Sequence, residues 1–137
     1  MKYNIIAIVL FCTFLSCNSN EQKTPTTPID TGREFIRATL DGNFTTAEKL
    51  LLKDEQNNEM FSSYKNFYER LPVEKKQAYK NASYNINTLT DVNDSTTIIN
   101  YSNTYMNQPM NIKVIKRNNQ WAVDFKYTSA TDTSLTK

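Results

Sequence analysis

The chain has 137 residues, of which 39% are apolar and 12% aromatic. That is enough for one compact core and too apolar for a fully disordered chain. It contains no histidine and only two cysteines, Cys12 and Cys17, which excludes a His general base, a Cys–His nucleophile, a Cys/His metal cluster and a disulfide framework. The formal net charge is +2, from 16 basic and 14 acidic residues with no basic block, so the charge footprint of a nucleic-acid binder is missing. No EF-hand spacing occurs and no cofactor is implied.

Met1-Lys2-Tyr3-Asn4 is a short basic start. Ile5 to Leu15 follows as an apolar run of signal-peptide length, well short of the ~20 residues a spanning helix needs. Phe14-Leu15-Ser16-Cys17 resembles the lipobox of bacterial lipoproteins, with an apolar residue three places before the cysteine and a small one next to it. The resemblance implies that residues 1–16 are removed as a signal peptide. Cys17 then carries diacylglycerol on its sulfur and an acyl chain on its amine. Each buried methylene contributes ~0.8 kcal/mol and stable anchoring takes more than one chain, which such a residue supplies. Cys12 has no small residue before it and belongs to the apolar run.

Asn18, not an acidic residue, follows the cysteine. By resemblance to Gram-negative lipoproteins this implies the outer membrane of the cell envelope, with the domain facing either the periplasm or the surface. Asn18 to about Pro28 is polar, with Pro25 and Pro28 among threonines, and residues 17–29 read as the lipidated cysteine and a flexible linker.

Beyond the linker, Asp30 or Thr31 can cap a helix whose face is Phe35, Ile36, Thr39 and Leu40. Gly42 ends it as a left-handed cap. Phe44, Ala47, Leu50 and Leu51 mark a second, short helix. A third runs from about Asn57 to Leu71 with Met60, Phe61, Tyr64, Phe67, Tyr68 and Leu71 spaced three or four apart. Pro72 stops it and can open a further helical turn through Tyr79.

After Asn81 the period changes to two. Tyr84, Ile86, Thr88, Thr90 and Val92 alternate with polar residues, Leu89 excepted. Asn93-Asp94 reads as a turn into a strand over Thr96 to Met106. A third strand starts at Met110, Ile112 and Val114 and ends near Arg117. Asn118-Asn119 suits a tight turn, because asparagine tolerates positive φ. The last strand sets Trp121, Val123, Phe125 and Tyr127 against Ala122, Asp124 and Lys126. Residues 128–137 read as a disordered tail. The fold class is α+β: N-terminal helices packed on a curved four-stranded antiparallel sheet, within residues 30–127.

Phe35 to Leu51 resembles the opening of small bacterial lipoproteins of unknown function with a cystatin-like cone. Ile112 to Asp124 resembles their closing hairpin, with Asn118-Asn119 where that family commonly has Asp-Gly. Those proteins belong to the ketosteroid-isomerase-like, nuclear-transport-factor-2-like fold group. The resemblance implies a sheet curved around helices with a pocket between them, and leaves catalysis open.

Three features compete for the site. Tyr64, Phe67, Tyr68, Trp121 and Phe125 can line an apolar pocket, although their spacing reads first as core. Asp124 is the carboxylate a cone enzyme would use as a base, but alternation places it on the solvated face. Asn87, Asn100, Asn103, Asn111, Lys113 and Lys116 form a polar sheet face open to a protein partner or to water. No catalytic or metal-ligating residue is assigned. The chain is expected to be a lipid-anchored envelope protein whose domain binds a small apolar ligand or an envelope protein. The alternatives are an isomerase-like or hydrolase-like enzyme with a pocket carboxylate, and an inhibitor or immunity-type lipoprotein.

Overall fold

The computed structural model describes residues 24–132. The expected signal peptide, Cys17 and the first part of the expected linker lie outside the described residues, as do residues 133–137. Pro28–Asp41 (α1), Phe44–Lys49 (α2), Glu55–Glu69 (α3) and Val73–Asn81 (α4) precede the strands Tyr84–Asn93 (β1), Thr96–Asn103 (β2), Pro109–Arg117 (β3) and Gln120–Asp124 (β4). A further helix, Phe125–Asp132 (α5), follows. The strands form one antiparallel meander in the order β1-β2-β3-β4, curved and unclosed. The expected α+β class is the one observed.

Local chemistry sets the helix boundaries. The cap of α1 is Thr27, three residues before the expected Asp30. Thr27 Oγ1 accepts the Asp30 amide at 3.1 Å, and Pro28 takes the first helical position, where no N–H is needed. Thr31 is fully buried instead. At the other end Gly42 has φ 70°, with the Gly42 amide on the Thr39 carbonyl (3.2 Å) and the Asn43 amide on that of Ala38 (2.8 Å). This is a Schellman ending. Asn43 then caps α2, its Oδ1 accepting the Thr46 amide at 3.2 Å. Asp54 caps α3 through the Asn57 amide at 2.8 Å. Arg37 of α1 donates to the Ala82 and Lys80 carbonyls at 2.9 and 3.1 Å, which satisfies the end of α4 and locks it to α1.

The sheet's inner face carries Thr97, Ile99, Tyr101, Asn103, Ile112, Val114 and Val123, all buried. Phe35, Ile36, Phe44, Ala47 and Phe61 from the helices complete the core. Phe61 is its hub, edge-on to Phe125 with centroids 5.2 Å apart and 5.8 Å from Phe44. The free edge of β4 is covered, because the Leu52 amide donates to Val123 and the Val123 amide to Leu50, at 2.9 and 2.8 Å.

Four expectations change. A bulge between Ile86 and Thr88 shifts the parity of β1 and pairs Leu89 with the inward Ile99, which accounts for the break in alternation at Leu89. Leu89 and Val92 nevertheless stay exposed. β2 stops at Asn103 rather than Met106, because Asn103 Oδ1 accepts the amides of Tyr105 (3.0 Å) and Met106 (2.8 Å) and turns the chain. β4 stops at Asp124, and Phe125 to Asp132 form α5, so the strand pattern through Tyr127 and residues 128–132 of the expected tail give way to helix. Asn118 and Asn119 do form the β3–β4 turn, with φ 51° and 63°.

Candidate functional site

Between the helices and the inner face of the sheet lies a cavity of about 500 Å³, within the range of small-molecule sites. Its walls come from every layer. α1 contributes Phe35, Thr39 and Leu40, and α3 contributes Met60, Ser63 and Tyr64. Tyr79 of α4 and Phe125 and Thr128 of α5 close the sides. The sheet supplies Tyr101, Asn103, Met110 and Ile112, with Met106 from the β2–β3 connection. The chain has four methionines. Met60, Met106 and Met110, those among the described residues, all line this cavity, where flexible thioethers make an adaptable wall.

The polar groups in the wall are hydroxyls and one amide. Burial, then the nearby phenols of Tyr79, Tyr101 and Tyr68, push the Tyr64 phenol well above its ordinary value. It therefore stays protonated and a donor. Tyr79 Oη lies 3.9 Å from Met106 Sδ, and its ring stacks on Tyr105 with centroids 3.9 Å apart at the β2–β3 connection. Thr39 Oγ1 is turned back on its own helix, donating to Phe35 and Ile36 carbonyls. Thr128 Oγ1 differs: it is buried without a hydrogen-bond partner in the protein, a state that costs about 1–3 kcal/mol.

Of the five side chains nominated from sequence, Tyr64 and Phe125 line the cavity and three do not. Phe67 is 52% exposed on the outer side of α3. Tyr68 is buried against Gly42 and packs edge-on to Phe44, with centroids 5.1 Å apart. Trp121 sits at the opposite end of the sheet, with Lys116 Nζ 5.8 Å from its ring centroid. Sequence reasoning missed Thr39, Tyr79, Met106, Met110 and Thr128 as wall residues. The confinement of methionine, Met1 apart, to Met60, Met106 and Met110 was the available signal.

Asp124 requires a correction. It faces away from Val123 as alternation demands, but it is only 6% exposed. Lys126 Nζ lies 2.9 Å and Lys113 Nζ 3.7 Å from its carboxylate. Asn57, fully buried, donates through Nδ2 to Asp124 at 3.2 Å and to Asp54 at 2.9 Å. Its Oδ1 accepts the Lys126 amide at 2.9 Å, satisfying a first-turn N–H of α5. Lys126 Nζ also meets Asp54 at 2.8 Å. The cluster clamps the start of α3 to the β4–α5 junction. Its carboxylates do not line the cavity, and no Asp or Glu does among the described residues.

The polar sheet face is also revised. Asn87 donates to Asn100 at 2.9 Å and Asn100 to Asn111 at 2.6 Å, an amide ladder across β1, β2 and β3. Asn103 is instead buried on the inner face, and Lys116 pairs in register with Trp121. No protein-family model, curated protein or solved structure matches the chain.

Proposed function

We propose that the chain is a lipid-anchored envelope protein whose domain is a non-catalytic binding module for a small apolar ligand. The cavity carries this reading: about 500 Å³, walled by aromatic rings and methionines, with a few hydroxyls to orient an occupant. The finer likeness to cystatin-like, nuclear-transport-factor-2-like cones agrees with it, since helices packed on a curved antiparallel sheet make such a cavity. The anchor rests on the lipobox residues Phe14 to Cys17, and the linker to Pro28 makes that anchor a leash. The enzymatic alternative needs a carboxylate in the wall, and the buried candidate, Asp124, is held in the ion-pair cluster instead.

A thermal-shift screen of neutral aromatic and aliphatic compounds tests the reading. At least one compound is expected to raise the melting temperature, and Met110→Trp, which fills the cavity, should abolish the response. No stabilising compound, or one whose effect survives Met110→Trp, would overturn it.

A further inference from the structure

We infer that the cavity selects for neutral molecules, taking an apolar compound with one hydrogen-bond-accepting oxygen of carbonyl or ether type and rejecting carboxylates of the same size. The inference rests on the binding-module reading and adds the ligand's chemical class. No charged side chain lines the cavity among the described residues. An anionic ligand would therefore exchange water for a wall without a counter-charge, which is unfavourable. Three cations on elements bordering the cavity are engaged elsewhere. Arg37 of α1 meets Asp41 at 2.9 Å, and Lys113 and Lys126 are held by Asp124.

The wall does offer hydroxyls. Thr128 Oγ1 is buried with no partner in the protein, so an acceptor brought to it gains a bond without breaking one inside the protein. Tyr64 presents a phenol on the same cavity, and its protonated state makes it a donor throughout the physiological range. Met60, Met106 and Met110 adapt to shape, which leaves polarity as the discriminating property.

Photolabelling of the full chain in isolated membranes tests this at pH 8, with benzophenone and 4-benzoylbenzoate as probes. One is a neutral ketone and the other the same ketone carrying a carboxylate; adducts are mapped by mass spectrometry. Benzophenone is expected to label Met60, Met106 or Met110 saturably, at a half-saturating concentration at least tenfold below that of 4-benzoylbenzoate. The near-isosteric pair Tyr64→Phe and Thr128→Val, combined, should raise the benzophenone value at least threefold. A smaller ratio between the probes, or an unchanged value in the double variant, would overturn the ligand class while leaving the cavity reading in place. No labelling at these methionines by either probe would overturn both.

Discussion

Asn57 is the side chain whose loss should weaken the fold most for its size. In Asn57→Ala the backbone amide keeps its bond to Asp54, but three side-chain bonds go. The bond to Asp54 is discounted, because that side chain is 33% exposed and water replaces the amide. The bond to buried Asp124 is long at 3.2 Å, and sits near the low end of charged hydrogen bonds, about 1.5 kcal/mol. The Lys126 N–H is left without its acceptor, at about 1–2 kcal/mol. The sum is about 2–4 kcal/mol, a large part of the ~5–15 kcal/mol that holds a domain together. At roughly 4 °C per kcal/mol for a domain of this size, the melting temperature should fall by about 8–16 °C.

Urea unfolding followed by the fluorescence of Trp121 gives the free energy directly. Asn57→Asp separates hydrogen bonding from volume. It keeps the shape but turns a donor shared by two carboxylates into a third carboxylate. Burial and its neighbours would raise the new group's folded pKa, so its penalty is full at neutral pH and shrinks as pH falls through that raised value. A loss below about 1 kcal/mol in Asn57→Ala, or an Asn57→Asp deficit unchanged between pH 7 and 5, would refute the account of the cluster.

Four further outcomes are expected. The hydrogen bond from Lys126, with that of the Asn57 amide, holds Asp54 below its ordinary 3.8. Its contribution is therefore present above about pH 4 and lost as pH falls through the depressed folded value, and Asp54→Asn should flatten the acid limb of melting temperature against pH. Gly42→Ala should cost about 2–4 kcal/mol in urea unfolding, because it combines a left-handed alanine with a displaced Tyr68 ring; the new Cβ would lie 2.7 Å from Tyr68 Oη. Asn119→Gly, at φ 63° in the second turn position, should stabilise the β3–β4 hairpin by about 0.5 kcal/mol, read as a higher urea midpoint at unchanged slope. Cys17→Ser should abolish incorporation of labelled palmitate and removal of the leader, measured by autoradiography and intact mass; a processed, labelled variant would refute the lipobox reading.

Much of the fold was legible because its signals are local. The spacing of Phe35, Ile36, Thr39 and Leu40 gives a helical stripe. Gly42 stops it, and the change of period after Asn81 begins the sheet. The errors are local patterns overruled by distant partners. Phe125 and Tyr127 continue the alternation of β4, but Phe125 is drawn onto Phe61 and the Lys126 amide onto Asn57, so the chain coils into α5. Leu89 breaks the alternation of β1 because the bulge between Ile86 and Thr88 sets its register.

By itself the sequence determined the α+β order and the turns at Gly42 and Asn118-Asn119. Periodicity and turn chemistry act between residues two to four apart and can be read directly. Only the tertiary structure decided which aromatics line a cavity and which fill the core. It also decided that Asp124, on a face that reads as solvated, is buried against Asn57, 67 residues away in the chain. Tyr64 and Tyr68 share the helical pattern of α3, yet one borders the cavity and the other covers Gly42. The physical reason is that burial depends on what packs against a residue. The partners here, α1 against α3 and α5 against β3, meet only when the chain has folded.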